Sequence, residues 1–222
     1  MIKHFFTTTD DDNIAYHVTN NKLSVDNNRV QLSKKYNFNL SKLKYMNQIH
    51  SNVVKVVNDK QNIYECDALV TNKLNTPLMV MVADCIPILF SDEINNTIAV
   101  AHAGRNGTFE NISTNTINTM KKEFNCKPEN IKVTLGASIQ RCCYEVSQEM
   151  ANIVKTSFGK EFVNGRLIDL QGINKKQLLS CGLEEQNITI SNICTKCSGE
   201  HYFSYRKDKE CGRFAGITII NS

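Results

Sequence analysis

The sequence predicts a mixed α/β protein folded as a single domain over residues 1–222. Short apolar runs with strand character alternate with amphipathic segments from one end of the chain to the other. Several of the short runs follow one another closely in the middle of the chain, which favours a mixed sheet. No repeat, linker or low-complexity tract divides the sequence. We therefore expect one compact unit.

The elements can be placed in order from their local signals. Eight strands are predicted, at 53–57, 68–71, 78–82, 86–91, 98–102, 131–135, 188–193 and 214–220. Three helices are predicted, at 109–124, 147–158 and 170–181. The last of these has Asp169 as its N-cap and Gly182 just beyond its end. The first follows a glycine-containing turn at 104–108, so free backbone N–H groups and Arg105 should lie beside His102.

Composition excludes several classes of protein. The 222 residues are 41% hydrophobic and 22% charged, which is ordinary for a globular protein and unlike a disordered, collagen-like or coiled-coil chain. A chain of this length buries roughly 70% of its unfolded surface, so we expect any metal to serve chemistry rather than folding. The net charge of +4 is spread along the sequence. A nucleic-acid partner is therefore not expected.

The sequence gives no sign of export or of a membrane span. Its N-terminus lacks the pattern of a secretory signal. The longest apolar stretch, at 77–90, is interrupted by Asp84 and is too short to cross about 30 Å of hydrocarbon. We expect a cytoplasmic protein with no membrane partner. Its nine cysteines should then be reduced thiols that act as small hydrophobes or as ligands.

Three chemically active residues fall at strand ends. His50, Cys85 and His102 each occupy a position from which a sheet edge would present the side chain to a cleft. Two imidazoles and a thiolate suit zinc, and three protein ligands leave a fourth position open, as in catalytic sites. Spacings of 35 and 17 residues are not a local metal motif. The sequence alone leaves open that these are a buried cysteine and two core histidines.

Five motifs, taken together, resemble those of the laccase-domain family, which is also called YfiH-like or polyphenol-oxidase-like. The resemblance extends from His50 to Ile220, and some members of the family are named peptidoglycan editing factor. The motifs are NQIH at 47–50, ADCIP at 83–87, HAG at 102–104, CCYEV at 142–146, and FSYRKD at 203–208 with GR at 212–213.

The resemblance implies a function as well as a fold. The fold would be layered, with mixed sheets between helices. The protein would be a purine nucleoside phosphorylase acting on adenosine, inosine and methylthioadenosine with inorganic phosphate, and it would also deaminate adenosine. Zinc, with copper possible, would be held by His50, Cys85 and His102. The protein would be a monomer or a homodimer.

The resemblance also implies further site residues. Asp84 and Cys85 are the expected catalytic residues. Asp67 and Asp84 are both candidates to move a proton or to orient a ligand imidazole, and we favour Asp84 because it adjoins Cys85. Arginines can bind phosphate through forked, charge-assisted hydrogen bonds. The expected substrate-binding residues are Arg29, Gln48, Arg105, Cys143, Arg206 and Arg213.

The sequence departs from the family pattern around the substrate. HAGRNG at 102–107 stands where family members usually have HAGWRG, GASI at 136–139 replaces a Gly-Pro-x-Ile motif, and Ser51 replaces a glycine. All three expected metal ligands are present. The expected substrate pocket, in contrast, is altered.

We expect no catalytic role for the remaining cysteine motif and histidines. Cys194 and Cys197 form a CxxC pair, but a zinc ribbon needs a second such pair, which we do not expect Cys142-Cys143 to provide. A thioredoxin-like role is also disfavoured because the pair follows a strand instead of opening a helix. His4, His17 and His201 have no identifiable partner and are expected to be solvated or structural.

Three other functions have to be compared with this one. A true multicopper oxidase needs more imidazole ligands than five histidines can furnish. A second possibility is an amide hydrolase acting on cell-wall precursors, with Cys85 as thiol nucleophile and His102 as base. The third is a binding module without catalysis.

Overall fold

The computed structural model describes residues 1–199 and 201–222 and contains five α-helices and thirteen strands in this part of the chain. The helices are α1 (Lys22–Lys35), α2 (Arg105–Phe109), α3 (Ile112–Phe124), α4 (Gln148–Ser157) and α5 (Leu170–Ser180). The strands are β1 (Ile2–Phe6), β2 (Lys44–Asn47), β3 (Val54–Val56), β4 (Ile63–Glu65), β5 (Ala68–Thr71), β6 (Leu78–Val82), β7 (Ile86–Asp92), β8 (Thr97–Ala103), β9 (Ile131–Leu135), β10 (Val163–Asn164), β11 (Leu167–Ile168), β12 (Ile188–Ile190) and β13 (Phe214–Ile220).

The strands form two large mixed sheets and one small hairpin. The first sheet has the order β1-β13-β6-β2-β4, and the second has the order β12-β9-β7-β8-β5-β3. Antiparallel pairs dominate, but β2 runs parallel to β4 and β6, and each edge strand of the second sheet is parallel to its neighbour. The hairpin pairs β10 with β11. The prediction of a mixed α/β domain is confirmed.

The two sheets pack face to face, and helices cover their outer faces. Val80 and Phe214 of the first sheet meet Leu89 and Val100 of the second in one buried cluster. The alternate residues of β7 point the other way, and Phe90 packs with residues of α3, α4 and α5. Helix α1 covers the outer face of the first sheet. Because central strands are buried on both faces, they form continuous apolar runs instead of alternating patterns.

Several predicted elements match the structure closely. Strands β5, β6, β9 and β13 have the predicted bounds. The predicted helix at 109–124 begins at Ile112, as α3, because Asn111 adopts a left-handed conformation (φ 63°) just before it. The predicted turn at 104–108 is instead mostly the short helix α2. Helix α1 was not predicted, since it is mostly polar and buries only Val25, Arg29 and Leu32. Strands β1, β2 and β4 were also missed.

Two connections between the sheets create the site. The chain passes from β2 in the first sheet to β3 in the second through a segment that contains His50. It passes again from β6 to β7 through Ala83, Asp84 and Cys85. His102 lies near the end of β8, opposite Pro87 of β7. All three candidate ligands therefore converge at one end of the sheet pair.

None of the helices in residues 1–199 and 201–222 combines the length and the apolar character that a bilayer span requires.

Candidate metal centre

The three predicted ligands lie together in the structure. The ligand atoms of His50, Cys85 and His102 are all within 4.8 Å of one another. The His102 side chain is buried, Cys85 is half-buried, and His50 is exposed. The rings of the two histidines meet edge to face, with centroids 4.8 Å apart. One face of the cluster is thus open, as an exchangeable metal ligand requires.

The carboxylate of Asp67 orients His102. Its Oδ1 lies 2.8 Å from His102 Nδ1, and the aspartate is fully buried. This leaves Nε2 of His102 directed towards Cys85 and the open face. Carboxylate–histidine pairs of this kind fix the tautomer and the orientation of metal-binding imidazoles. Asp67 therefore takes the orienting role for which we had favoured Asp84.

The same carboxylate also shapes the loop that carries His50. Asp67 accepts hydrogen bonds from the backbone N–H groups of Ile49, His50 and Ser51 and from the Ser51 hydroxyl. These bonds hold His50 in a left-handed conformation with φ 59°, which is costly for a non-glycine residue. Although burial alone raises the pKa of Asp67, bonds from His102 and Ser51 outweigh it and hold the pKa below its usual value.

Gly104 leaves the space that a metal ion would need. A Cβ atom built at this position would lie 3.0 Å from the Cys85 sulfur, 3.5 Å from the His50 ring and 3.8 Å from His102 Nε2. The absence of a side chain thus keeps open a small cradle bounded by all three ligand side chains. The donor set and the cradle fit a zinc-like ion.

The cluster is electrostatically coupled. Burial alone raises the pKa of the Cys85 thiol, but the positive charge and hydrogen bond of His102 outweigh it and lower the pKa. Burial alone would lower the pKa of His102. The charges of Cys85 and Asp67 and their hydrogen bonds with the imidazole outweigh this effect, so the pKa is raised. Cys85 is therefore disposed to be a thiolate, the form that binds metals or attacks carbonyl carbons.

A cleft of about 510 Å³ opens from the cluster, which is within the range of small-molecule sites. Gln48 fixes one wall, because its amide both donates to the Met81 carbonyl (2.8 Å) and accepts from the Met81 N–H (2.9 Å). The residues that line the cleft are His17, Met46, Asn47, Gln48, His50, Met81, Val82, Ala83, Cys85, His102, Tyr205 and Arg213.

His17 was not predicted to belong to this site. It follows a polar stretch near the N-terminus and has no local motif, so the sequence offers no signal for it. Its partial burial lowers its pKa, and positive charge on Arg213 and His102 lowers it further. A histidine that is neutral near pH 7 therefore joins the cleft wall.

A smaller pocket of about 140 Å³ lies on the other side of Cys85. Arg105 and Arg206 line it, as do Tyr144 and Tyr205. The Arg206 guanidinium lies over the Tyr144 ring (4.8 Å to its centroid) and donates to the carbonyl of Glu145. The two arginines continue into a groove that also contains Arg166, which is paired with the side chain of Glu145.

Asp84 supports the turn that presents Cys85. One carboxylate oxygen accepts from the Thr195 hydroxyl (2.6 Å), and the other accepts from the Arg206 backbone N–H (2.7 Å). Its backbone has φ 82°, a strained conformation of the kind found at functional sites. Asp84 lines the small pocket, but both of its oxygens have protein donors.

The structure places two predicted substrate-binding residues elsewhere. Arg29 is 4% exposed, donates to the Ile14 carbonyl and packs between the rings of Tyr16 and Tyr45. It therefore lies behind the cleft wall rather than in it. The sulfur of Cys143 belongs to a separate cysteine cluster, and the neighbouring Tyr144 lines the small pocket instead.

The structure brings the CxxC pair together with two cysteines that the sequence did not connect with it. Cys142 and Cys143 lie beside Cys194 and Cys197, with all four sulfurs within 4.8 Å of one another. An isolated bridge between Ser138 and Cys194 brings the two loops together. Cysteines at 142 and 143 do not have CxxC spacing, so the sequence pattern gave no indication of this meeting.

The fold and the site define a mixed α/β protein whose His, Cys, His cluster can hold a metal ion. The family model described as multi-copper polyphenol oxidoreductase laccase matches residues 6–221. The chain belongs to this family, as the five motifs indicated.

Relatives and solved structures agree with this assignment. A purine nucleoside phosphorylase of Corynebacterium glutamicum is 36% identical over 216 residues, which cover 94% of this chain and 86% of the relative. One from Clostridium acetobutylicum is 36% identical over 188 residues, or 82% and 78% of the two chains. The crystal structure of YlmD from Geobacillus stearothermophilus has a TM-score of 0.88 and 26% identity, and the match covers 95% of this chain and 85% of that one.

Proposed function

We propose that this protein is a zinc-dependent purine nucleoside phosphorylase that acts on adenosine, inosine and methylthioadenosine and also deaminates adenosine. One observation carries the proposal. The His, Cys, His cluster lies between a cleft large enough for a nucleoside and a small pocket lined by two arginines. The names of the related proteins support the same activity.

His50, Cys85 and His102 would hold the zinc ion, and Asp67 would keep His102 in the required tautomer. When bound there, zinc supplies Lewis-acid polarisation of a substrate oxygen and lowers the pKa of water to about 7. The family name refers to copper oxidases, but the five histidines are too few for a blue-copper centre together with a trinuclear cluster.

The larger cleft is our proposed nucleoside site. Gln48 and Arg213 offer hydrogen-bond donors there, His17 offers a neutral imidazole, and Tyr205 offers a ring face. The apolar walls come from Met46 and Val82. A flat base and a polar sugar need this combination of ring faces and a few fixed polar groups.

The small pocket is our proposed phosphate site. Arg105 and Arg206 bring positive charge to its wall, and forked guanidinium groups bind phosphate oxygens in pairs. Because Cys85 lines both cavities, phosphate in this pocket would approach the nucleoside from the side of the cluster. Asp84 would act as a positioning residue for this turn, since protein donors already occupy its oxygens.

The test is a product assay on the zinc-loaded protein. Adenosine, inosine or methylthioadenosine should release free base and a sugar 1-phosphate only when phosphate is present. Deamination of adenosine should persist without phosphate, because its nucleophile is water. His50→Ala should abolish both reactions, and His201→Ala, outside the site, should leave them unchanged. Equal release of base with and without phosphate would rule out the phosphorylase.

A second function is favoured by one feature of the site. Cys85, His102 and Asp67 form a thiol–imidazole–carboxylate series, and the pKa of the thiol is lowered. This is the arrangement of a cysteine hydrolase, so an amide hydrolase acting on cell-wall precursors is our alternative. The two functions differ in whether Cys85 must be bound to metal or free.

A further inference from the structure

Four cysteines outside the cleft meet at the surface of the protein. Cys142 and Cys143 belong to the loop after β9, and Cys194 and Cys197 belong to the loop after β12. All four sulfurs lie within 4.8 Å of one another, and those of Cys142 and Cys197 are 3.6 Å apart. The pairs are separated by about fifty residues in sequence, so only the fold brings them together.

The spacing of the sulfurs fits tetrahedral metal coordination. With a Zn–S distance of about 2.3 Å, two sulfurs of a tetrahedron are about 3.8 Å apart. The observed 3.6 Å is close to this value and far from the roughly 2.05 Å of a disulfide bond. A disulfide would also use only two sulfurs and would not account for the gathering of four.

We propose that Cys142, Cys143, Cys194 and Cys197 bind a structural Zn²⁺ ion, separate from the His50, Cys85 and His102 cluster. On binding, each thiol releases its proton to solvent, and four thiolates with one Zn²⁺ leave a net charge of −2. Arg141 and Lys196, adjacent in sequence to the ligands, bring positive charge to the same two loops. Four protein ligands fill the tetrahedron, which is the arrangement of structural zinc sites.

The ion would clamp the loops that support the cleft. Thr195, between the two cysteines of the CxxC pair, holds the Asp84 carboxylate. Its backbone N–H also bonds to the Ser138 carbonyl (3.1 Å). On the other loop, Tyr144 directly follows Cys143 and lines the small pocket. A metal at the four cysteines therefore fixes two walls of the site without touching substrate.

The number of zinc ions per chain tests the proposal. Wild type and variants are reconstituted with zinc chloride, desalted and analysed for metal. Cys142→Ser/Cys197→Ser should bind one zinc fewer than wild type. His50→Ala/His102→Ala should retain the zinc that the serine variant loses, so this result is independent of the proposed catalytic metal. Cys181→Ser, which changes a half-buried cysteine in neither cluster, should match wild type.

Two results would overturn the proposal. One is an equal zinc content in wild type and in the double serine variant. The other is a disulfide bond within this cluster. Under denaturing, non-reducing conditions it would lower the intact mass by two hydrogens relative to the fully reduced chain. If the double variant fails to fold, the single variant Cys142→Ser replaces it, because this side chain is exposed.

Digestion with trypsin gives a readout of the clamp that does not depend on activity. Lys196 lies between the CxxC cysteines, and Arg141 directly precedes Cys142. Cleavage after these two residues should be at least tenfold slower in zinc-loaded wild type than in the double serine variant. Equal cleavage rates would show that no metal clamps the loops.

Discussion

A buried hydrogen bond of 2.8 Å connects Asp67 Oδ1 with His102 Nδ1. The same carboxylate accepts a hydrogen bond from the backbone N–H of His50 and so holds the loop that carries this residue. One buried side chain thus sets the position of two of the three candidate metal ligands. Asp67 itself lies directly before β5 and is fixed by the central sheet. The metal site is consequently organised by the sheet and not by a flexible loop.

Asp67→Asn should weaken zinc binding about 10- to 100-fold, which is the usual cost of losing a carboxylate that orients a ligand histidine. An amide keeps the size of the side chain but removes the charge and one acceptor. Competition with a chelator measures the affinity. Asp59→Asn, at an exposed ion pair with Lys73, should leave it unchanged. If Asp67→Asn folds and binds zinc as wild type does, the orienting role is wrong.

Gly104→Ala should also reduce zinc binding, for a steric reason. Its Cβ would lie 3.0 Å from the Cys85 sulfur and would fill the cradle among the ligands. We expect at least a tenfold loss of affinity with little change in the far-UV circular dichroism spectrum. Gly165→Ala is the matched control, because its φ of 61° makes alanine strained but nothing lies near the added atom. That variant should lose stability and retain zinc.

The sequence predicted much of this site because its motifs resemble those of the laccase-domain family. His50, Cys85 and His102 could be identified, and Gln48 and Arg213 do line the cleft. His17 could not, because its place in the cleft wall depends on how the N-terminal segment packs. Its own surroundings in the sequence contain no motif.

The fold shows the same division between local and long-range information. Strands such as β6 and β13 are continuous apolar runs and are recognisable alone. Helix α1 has almost no apolar face, and the strands β2 and β4 are short. Their structure is decided by pairing with distant strands. The four-cysteine cluster is likewise a product of tertiary contacts that no spacing rule encodes.

Arg206→Gln should raise the KM for phosphate about tenfold or more and change the KM for nucleoside much less. Arg206 lines the small pocket and carries one of its two guanidinium groups, and a charge-assisted bond contributes about 1.5–3 kcal/mol. Arg166→Gln is the control, since it lies in the adjoining groove and pairs with Glu145. An equal rise in both KM values would place Arg206 in a general structural role.

His4 should make the protein less stable in mild acid. Burial lowers the pKa of His4 to about 4 from an ordinary 6.5, although Glu93 raises it slightly. Its buried Nδ1 has no hydrogen-bond partner in the described part of the chain. Between these two pKa values the unfolded chain takes up a proton that the folded protein excludes. Stability is therefore full above pH 6.5 and falls as the pH drops to about 4.

Urea unfolding of wild type and His4→Gln at several pH values measures this effect. Between pH 6.5 and 4 the free energy of unfolding of wild type should fall by about 1–3 kcal/mol through this group. One pKa unit corresponds to about 1.4 kcal/mol, and partial solvent access reduces the total. In His4→Gln the free energy of unfolding should fall by that much less between pH 6.5 and 4. Parallel curves for the two proteins would contradict the assignment.

The reactivity of Cys85 distinguishes the zinc enzyme from the thiol hydrolase. A thiolate bound to zinc should react slowly with an alkylating reagent until a chelator removes the metal, and then rapidly, because His102 keeps it ionised. A free nucleophile should react at the same rate with and without the chelator. Peptide mass spectrometry follows the labelling at Cys85, and Cys66, buried with a pKa raised to about 12, serves as the unreactive reference.

Cys85→Ser completes this comparison. Because a serine hydroxyl is a poor ligand for zinc, the variant should lose the metal at this site together with its activity on nucleosides. Binding of zinc at the four surface cysteines should persist in this variant, so its zinc content should fall by one ion and not to zero. The thiol hydrolase would replace the zinc enzyme if chelated wild-type protein kept full activity and alkylation of Cys85 abolished it. Loss of activity on chelation, restored by added zinc, is the result that the geometry of His50, Cys85 and His102 leads us to expect.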